Sequence, residues 1–364
     1  MRRIVAIACA APAAVARAGG GPPTDAYDGI AAGAALDVHG FADIYGADNL
    51  DDPKSGQSQL RAFDPTANAP ALGWLRLRVA HAPGTVGFRV DLGLGDTATG
   101  YFLDDPARVA HPELSRWLSH VGQAFVTVVA PHAIAIDAGK FDTPIGLEDN
   151  EGLANWNYSR SFVYTWDEPS LHTGVRATYE VSKQVAVAAY WLNGWGANVL
   201  DGSDMRSYAV TARYKPSEEL EAVIVYAGGL ERAPANPALP LAWRDLIDGY
   251  VTYAVTPALA IAATGDYTAQ FAGAAGYARY ALPAGFALAA RGERLWDHSG
   301  LATGTAQTLD EATATVEDRG TVHGATIVGR LEYRHDHSTA DVFEHGEAFL
   351  RTQDTIAVGL IASY

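Results

Sequence analysis

Val86-Gly87-Phe88-Arg89-Val90-Asp91-Leu92-Gly93-Leu94 is the stretch on which the fold turns. Every second residue, from Val86 to Leu94, is apolar, and Gly87, Arg89, Asp91 and Gly93 sit between them. Successive side chains of an extended chain point to opposite faces. The stretch therefore reads as a strand with one apolar face and one face that carries a guanidinium and a carboxylate at mid-strand. The same alternation recurs in Leu75, Leu77 and Val79 against Trp74, Arg76 and Arg78. It recurs again in Val175, Ala177 and Tyr179 against Gly174, Arg176 and Thr178, and in Leu331 and Tyr333 against Arg330, Glu332 and Arg334.

Working outward, the pattern divides the chain into segments 36–46, 70–81, 85–95, 121–130, 133–142, 171–181, 184–192, 206–215, 219–228, 245–256, 258–267, 273–282, 285–295, 308–317, 322–335 and 352–364. The acidic 308–317 is the weakest of them, with only Ala312, Ala314 and Val316 on its apolar face. Tight links at Pro83-Gly84, Pro131-His132, Ser182-Lys183, Pro216-Ser217, Thr256-Pro257 and Pro283-Ala284 alternate with long ones such as 47–69, 96–120, 143–170 and 296–307. Segments of about ten residues, joined alternately by short and long links, are the signature of an outer-membrane barrel with short periplasmic turns and long extracellular loops. The expected fold is all-β: a single transmembrane antiparallel up-and-down β-barrel of about 16 strands. An even count puts both chain ends on the periplasmic side.

A soluble sandwich also alternates, so charge placement has to decide which face is inside. On a lipid-facing surface an arginine near the midplane costs about 2–4 kcal/mol. Arg76, Arg78, Arg89, Arg176, Arg213, Arg279, Arg291 and Arg330 are therefore expected to face inward. A closed barrel of about 16 strands is too wide for side chains to fill, and water in that channel is expected to solvate the arginines. Inward carboxylates at Asp37, Asp43, Asp91, Asp137, Glu221, Asp266, Glu293 and Glu332 would pair with them across neighbouring strands. Tyr179, Trp191, Tyr208, Tyr214, Tyr226, Tyr253, Phe286 and Tyr364 lie near segment ends, as girdle aromatics do. The closing Ile356, Val358, Leu360, Ala362 and Tyr364 form an apolar face that ends on an aromatic ring, the form by which barrel-assembly machinery recognises such chains.

Residues 1–18 read as a signal peptide: Arg2 and Arg3, an apolar run from Ile4 to Ala16, then Ala16-Arg17-Ala18 as a small-x-small cleavage site. Gly19, Gly20, Gly21, Pro22 and Pro23 would stop a helix there, leaving 19–34 as a short periplasmic segment and 35–364 as the barrel. The chain has 42 acidic against 26 basic residues, and cleavage would remove three arginines and no acid. It would also remove Cys9, the only cysteine, which excludes disulfides and thiolate metal sites. An exported acidic chain is a poor binder of nucleic acid. After the signal no apolar run approaches the 18 or so residues of a membrane helix.

Several blocks resemble the OmpL-like β-barrel porins. The most specific is Asn155-Trp156-Asn157-Tyr158-Ser159-Arg160-Ser161, preceded by Gly139-Lys140-Phe141, Gly146 and Glu148 and followed by Pro169 and His172-Thr173-Gly174. Gly40-Phe41-Ala42-Asp43-Ile44-Tyr45, Asn193-Gly194-Trp195 and Glu332-Tyr333-Arg334-His335-Asp336 extend the resemblance over most of the mature chain. It implies an outer-membrane barrel of Gram-negative bacteria with no catalytic residues, and it carries little information about solute.

The long segment 143–170, which holds Asn157, Tyr158, Ser159 and Arg160, is the candidate constriction loop. Either it narrows the lumen with Arg160 as a fixed positive charge, or it is clamped to the wall with Arg160 paired to a carboxylate. The candidate pore lining comprises these four residues with Arg76, Arg78, Arg89, Asp91, Asp137, Arg176, Arg213, Arg291, Glu293, Arg330, Glu332 and Arg334. Acids at Asp48, Asp51, Asp52, Glu148, Asp149 and Glu151 are expected in the loops, where they would favour cations at the mouth or bridge lipopolysaccharide through divalent ions. No cofactor is expected, nor a metal site. His335 and His337 share a face without a third ligand, and Asp48–Asp52 lacks the pattern of an EF-hand. No Gly-x-Ser-x-Gly elbow, phosphate loop or His-Glu-x-x-His helix is present.

The expected function is passive diffusion of small hydrophilic solutes or ions, without enzyme activity. Alternatives are a specific channel for an anionic nutrient such as phosphate or an organic acid, which needs the inward arginines on one side of the lumen, and a non-conducting adhesion or envelope barrel. Expected partners are outer-membrane lipid, lipopolysaccharide, assembly machinery and small solutes. A homotrimer is expected by analogy with barrels of this size.

Overall fold

In the computed structural model, residues 36–100, 112–131, 134–196, 206–231 and 242–364 are described. The expected signal peptide 1–18 and the expected periplasmic segment 19–34 lie outside the described residues. Sixteen strands close into one antiparallel barrel. They are β1 (Asp37–Asn49), β2 (Ala69–His81), β3 (Val86–Leu94), β4 (Val121–Ala130), β5 (Ile134–Asp142), β6 (Leu171–Glu180), β7 (Val185–Leu192) and β8 (Ser207–Tyr214). Then follow β9 (Leu220–Glu231), β10 (Ala242–Ala254), β11 (Leu259–Tyr267), β12 (Phe271–Ala281), β13 (Phe286–Asp297), β14 (Gln307–Val322) and β15 (Ala325–Ser338). A small hairpin of β16 (Phe343–His345) and β17 (Ala348–Leu350) stands apart, and β18 (Thr352–Ser363) completes the wall. Each strand of the wall corresponds to one segment read from the sequence.

Every wall strand pairs with its chain neighbour except at the closure, where β1 meets β18 with Phe41 opposite Ser363. The Gly40 amide donates to the Tyr364 carbonyl at 2.8 Å and the Tyr364 amide returns a bond to the Gly40 carbonyl at 2.9 Å. Both ends of the barrel chain thus lie at one rim, and the tight links among the described residues lie there too. The link between β14 and β15 lies at His323 and Gly324, both with positive φ, and not at 318–321 as the segment bounds implied, so the weakest segment becomes the longest strand, Gln307–Val322, of 16 residues.

The polarity of the barrel is inverted relative to a soluble protein. Leu75, Leu77, Leu92, Leu94, Val210, Ile224, Leu331, Val358 and Leu360 are exposed on the outer wall. Arg76, Arg89, Asp91, Asp137, Arg176, Arg291, Glu293, Arg330, Glu332 and Arg334 are buried inside it. An exposed belt of this size cannot be left facing water at small cost; hydrocarbon is the medium that suits it. Trp191, Tyr208, Trp243 and Tyr267 ring the outer wall toward the loop rim, and Tyr179, Tyr214, Tyr253, Tyr280 and Phe286 toward the turn rim.

Three features were not expected from the sequence. Among the described residues, the link 96–120 holds two short helices, α1 (Asp96–Gly100) and α2 (Pro112–Leu118). Residues Val163–Asp167 form a single π-helical turn inside the barrel. Gly73 is an extra residue in β2, because Asp43 pairs with Trp74 and the next residue, Ile44, pairs with Leu72. The bulge leaves Leu72 facing outward, while Trp74 stays on the same inward face as Arg76, whose guanidinium lies 4.7 Å from its ring.

Candidate functional site

An irregular segment inside a membrane barrel must find partners for backbone groups that no sheet ladder satisfies. Residues 143–170 meet this requirement with charged side chains from the wall. The Tyr158 and Ser159 amides donate to the Glu332 carboxylate at 2.6 and 2.9 Å. The Phe162 and Val163 amides donate to Glu293 at 2.7 and 3.0 Å. Guanidiniums take the carbonyls: Arg291 donates to Ser159 at 2.6 Å, Arg334 to Arg160 at 2.5 Å, and Arg330 to Gly152, Asn155 and Asn157 at 2.6, 2.5 and 3.1 Å. All five wall residues belong to β13 and β15. Bonds in which one partner is ionised are about twice as strong as neutral ones, so this part of the loop is fastened to one side of the lumen.

Side chains of the loop add to the fastening. Asn157 donates to Thr315 on β14 at 2.8 Å, and the Tyr158 hydroxyl donates to Asp43 on β1 at 3.0 Å. Glu148 accepts from the Ser161 amide at 2.7 Å and pairs with Arg291 at 2.8 Å. Tyr158 lies directly over Gly359 of β18, where a Cβ would come within 2.4 Å of the ring, so this glycine makes room for the loop.

The wall arginines are also braced by carboxylates. Arg89 and Arg78 both reach Asp91, at 2.6 and 3.3 Å, and Arg76 lies 3.8 Å from it. Arg176 pairs with Asp137 at 2.7 Å, Arg291 with Glu311 at 2.8 Å, Arg330 with Glu317 at 2.8 Å and Arg334 with Asp336 at 2.6 Å. Arg213 and Glu221 stand 3.9 Å apart, and Arg279 reaches Glu317 at 2.8 Å.

All of the arginines expected to face inward do so, but two expectations about them need correction. Water does not bathe the mid-strand group: Arg76, Arg89, Arg176, Arg291, Arg330 and Arg334 are buried. Carboxylates and loop carbonyls hold their charge instead. Only Arg78, Arg213 and Arg279, nearer the turn rim, keep partial exposure. Arg160 is neither an open positive charge nor the partner of a carboxylate. Its guanidinium donates to the carbonyls of Asp149, Asn150 and Tyr158 at 3.2, 2.6 and 2.7 Å and lies 5.3 Å from the Phe63 ring. The acids expected at the mouth divide as well. Asp52 is exposed in its loop, but Asp48 lies in β1 on the outer face, opposite Ile356, and not in a loop; Glu148 is buried and Glu151 pairs with Arg76 at 2.6 Å.

Several participants escaped sequence reasoning. The first long loop also turns inward: Arg61 and Asp64 form a buried pair, and Arg61 lies 3.5 Å from Asp336. The Trp166 indole donates to the Leu60 carbonyl at 3.1 Å and joins the two loops. On the far side of the loop a cavity of about 20 Å³ lies against β10–β12, lined by Leu147, Trp156, Thr252, Ala262 and Tyr277 among others. That is room for about one water.

An inverted sixteen-strand wall with a loop fastened inside it is a porin arrangement, and the sequence carries the same assignment. Residues 35–364 match the family described as "Putative beta-barrel porin-2, OmpL-like". The chain belongs to that family. No curated protein is recognisably similar in sequence. Among solved structures, this OmpL-like porin is similar in fold to OmpT of Vibrio cholerae in its trimer form, at 12% identity and a TM-score of 0.56, over 91% of this chain and 99% of that one. The anion-selective porin from Comamonas acidovorans matches at 10% identity and a TM-score of 0.51, over 91% and 99%. A mutant of the Rh. blastica porin matches at 12% and 0.51, over 91% and 100%. The outer membrane is the location these relationships imply.

Proposed function

We propose that this OmpL-like porin passes ions and small hydrophilic solutes by passive diffusion, and that loop 143–170 narrows the path. The observation that carries the proposal is the fastening of the loop backbone to inward side chains of β13 and β15 within a closed barrel. The same bonds argue for a narrow opening, since they fill the lumen at mid-height with buried groups. Among the candidate lining residues, Arg78 and Arg213 face the passage directly. Asn157, Tyr158, Ser159, Arg160, Arg76, Arg89, Asp91, Asp137, Arg176, Arg291, Glu293, Arg330, Glu332 and Arg334 shape it from behind, by holding the loop and the wall.

The turn rim and both chain ends face the periplasm in this reading, and the aromatic rows sit at the two lipid interfaces. The last strand serves assembly, lipopolysaccharide contacts the loop rim, and the working unit is a trimer. No chemistry is catalysed.

A specific anion channel has one observation in its favour. The inward arginines of β13–β15 and β2–β3 lie on neighbouring parts of the wall across the β1–β18 closure. Their guanidiniums are engaged by carboxylates and carbonyls, however, which favours general diffusion with weak cation preference from loop acids such as Asp52. Single-channel recording with graded solutes tests the choice. Steady conductance that phosphate and organic acids leave unblocked is expected. Block by one such anion at low concentration points to the specific channel, and absence of conductance to the closed envelope barrel.

A further inference from the structure

Opposite the charged fastening, three carboxylates converge. Asp248 on β10 and Asp266 on β11 are direct cross-strand partners, and Glu168 reaches them from the end of the loop. One oxygen from each lies within 4.8 Å of the others. Like charges placed directly opposite on neighbouring strands repel, and burial increases the penalty. All three groups are buried nonetheless, with Glu168 only 2% exposed. Both oxygens of Glu168, both of Asp266 and one of Asp248 have no hydrogen-bond donor. Among the described residues no lysine, arginine or histidine forms an ion pair with any of the three. The Gly146 amide donates to Asp248 at 3.1 Å, and its Cα is pressed so closely by Glu168 that no Cβ would fit there.

We propose that Glu168, Asp248 and Asp266 bind one calcium ion, which ties the end of loop 143–170 to β10 and β11. Calcium takes carboxylate oxygens at about 2.3–2.6 Å, so ligand atoms around one ion lie up to about 5 Å apart, as these do. The all-oxygen donor set selects a hard cation. The tight, water-poor setting disfavours magnesium, which dehydrates reluctantly. Burial and the neighbouring Asp248 carboxylate also push the Glu168 carboxyl well above its ordinary range, so proton uptake is the competing way to relieve the repulsion.

Calorimetric titration of CaCl2 into the full-length, EDTA-stripped barrel in detergent distinguishes the two. The expected result is one ion per chain, a higher unfolding temperature with calcium, and loss of the stoichiometric heat in Asp248→Asn/Asp266→Asn. The milder Glu168→Gln serves if that pair fails to fold. Asp48→Asn/Asp52→Asn should retain binding, because those acids lie on the surface. No stoichiometric binding by the unmodified chain, or binding that survives removal of the buried carboxylates, would overturn the proposal. The titration is independent of conductance, so a conducting barrel that binds no calcium refutes only the metal site.

Discussion

The Arg291 guanidinium and the Glu148 carboxylate meet at 2.8 Å although 143 positions separate them in sequence. One group belongs to a wall strand and the other to the loop. Arg291 also reaches Glu311 at 2.8 Å and the Ser159 carbonyl at 2.6 Å, so a single buried cation holds two strands and the loop together. Replacement by methionine, Arg291→Met, leaves two buried carboxylates without their counter-charge. Removal of one partner from a buried ion pair costs about 3–5 kcal/mol. Urea unfolding from lipid vesicles should show a loss of that size, and a loss below about 1 kcal/mol would mean that the pair is solvent-screened.

Glu332 accepts two consecutive loop amides, so Glu332→Ala strips the loop of both without touching any apolar wall position. The barrel should still form, with the loop released. Limited proteolysis is expected to cleave within 152–163 in this variant and not in the unmodified protein, because cleavage follows local opening. Equal resistance in both would show that Glu332 is dispensable for the fastening.

Gly359→Ala tests the close approach of Tyr158 to β18. The added methyl group would overlap the ring, and overpacking of this kind costs about 1–3 kcal/mol. The expected outcome is a barrel with lower thermal stability and a displaced loop, read from the unfolding temperature and from proteolysis. A change to alanine at Gly276, where nothing lies near the built Cβ, should lack both effects.

Arg160→Ala should leave the reversal potential under a salt gradient almost unchanged, because the guanidinium is engaged by three carbonyls and is 4% exposed. It should instead loosen the loop and raise conductance. A clear shift toward cation preference would place the Arg160 charge in the conducting path.

Leu77→Arg addresses the lipid belt. Leu77 is exposed on the outer wall, and its chain neighbours Arg76 and Arg78 point inward. A charge there should reduce folding into vesicles by about 2–4 kcal/mol if it lies near the midplane. Unaltered folding would mean that this face meets water or protein.

The wall was legible from its period-2 pattern, because a strand facing lipid on one side and charged groups on the other leaves a regular trace in sequence. Strand β14 was faint because its outward face carries Ala312, Ala314 and Val316 between Asp310 and Asp318, while Glu311, Thr313 and Glu317 face inward. Loop placement was legible only in part. The Asn155–Ser161 block marked the segment, but its partners Arg291, Arg330 and Glu332 lie far along the chain, where they read as ordinary wall charges. The destination of the arginines was misjudged for the same reason: an alternating pattern reports which face a side chain occupies and says nothing of a distant loop that covers it. The Glu168–Asp248–Asp266 cluster was invisible because strand pairing and loop infolding bring the three together.

The most direct measurement compares single-channel conductance in planar bilayers between the unmodified barrel and Glu332→Ala/Arg330→Met/Arg334→Met, which releases the loop from β15. A narrow conducting state that widens at least about twofold on release is expected if the loop limits the path. Equal conductance in the two folded proteins would contradict the assignment of residues 143–170 as the constriction.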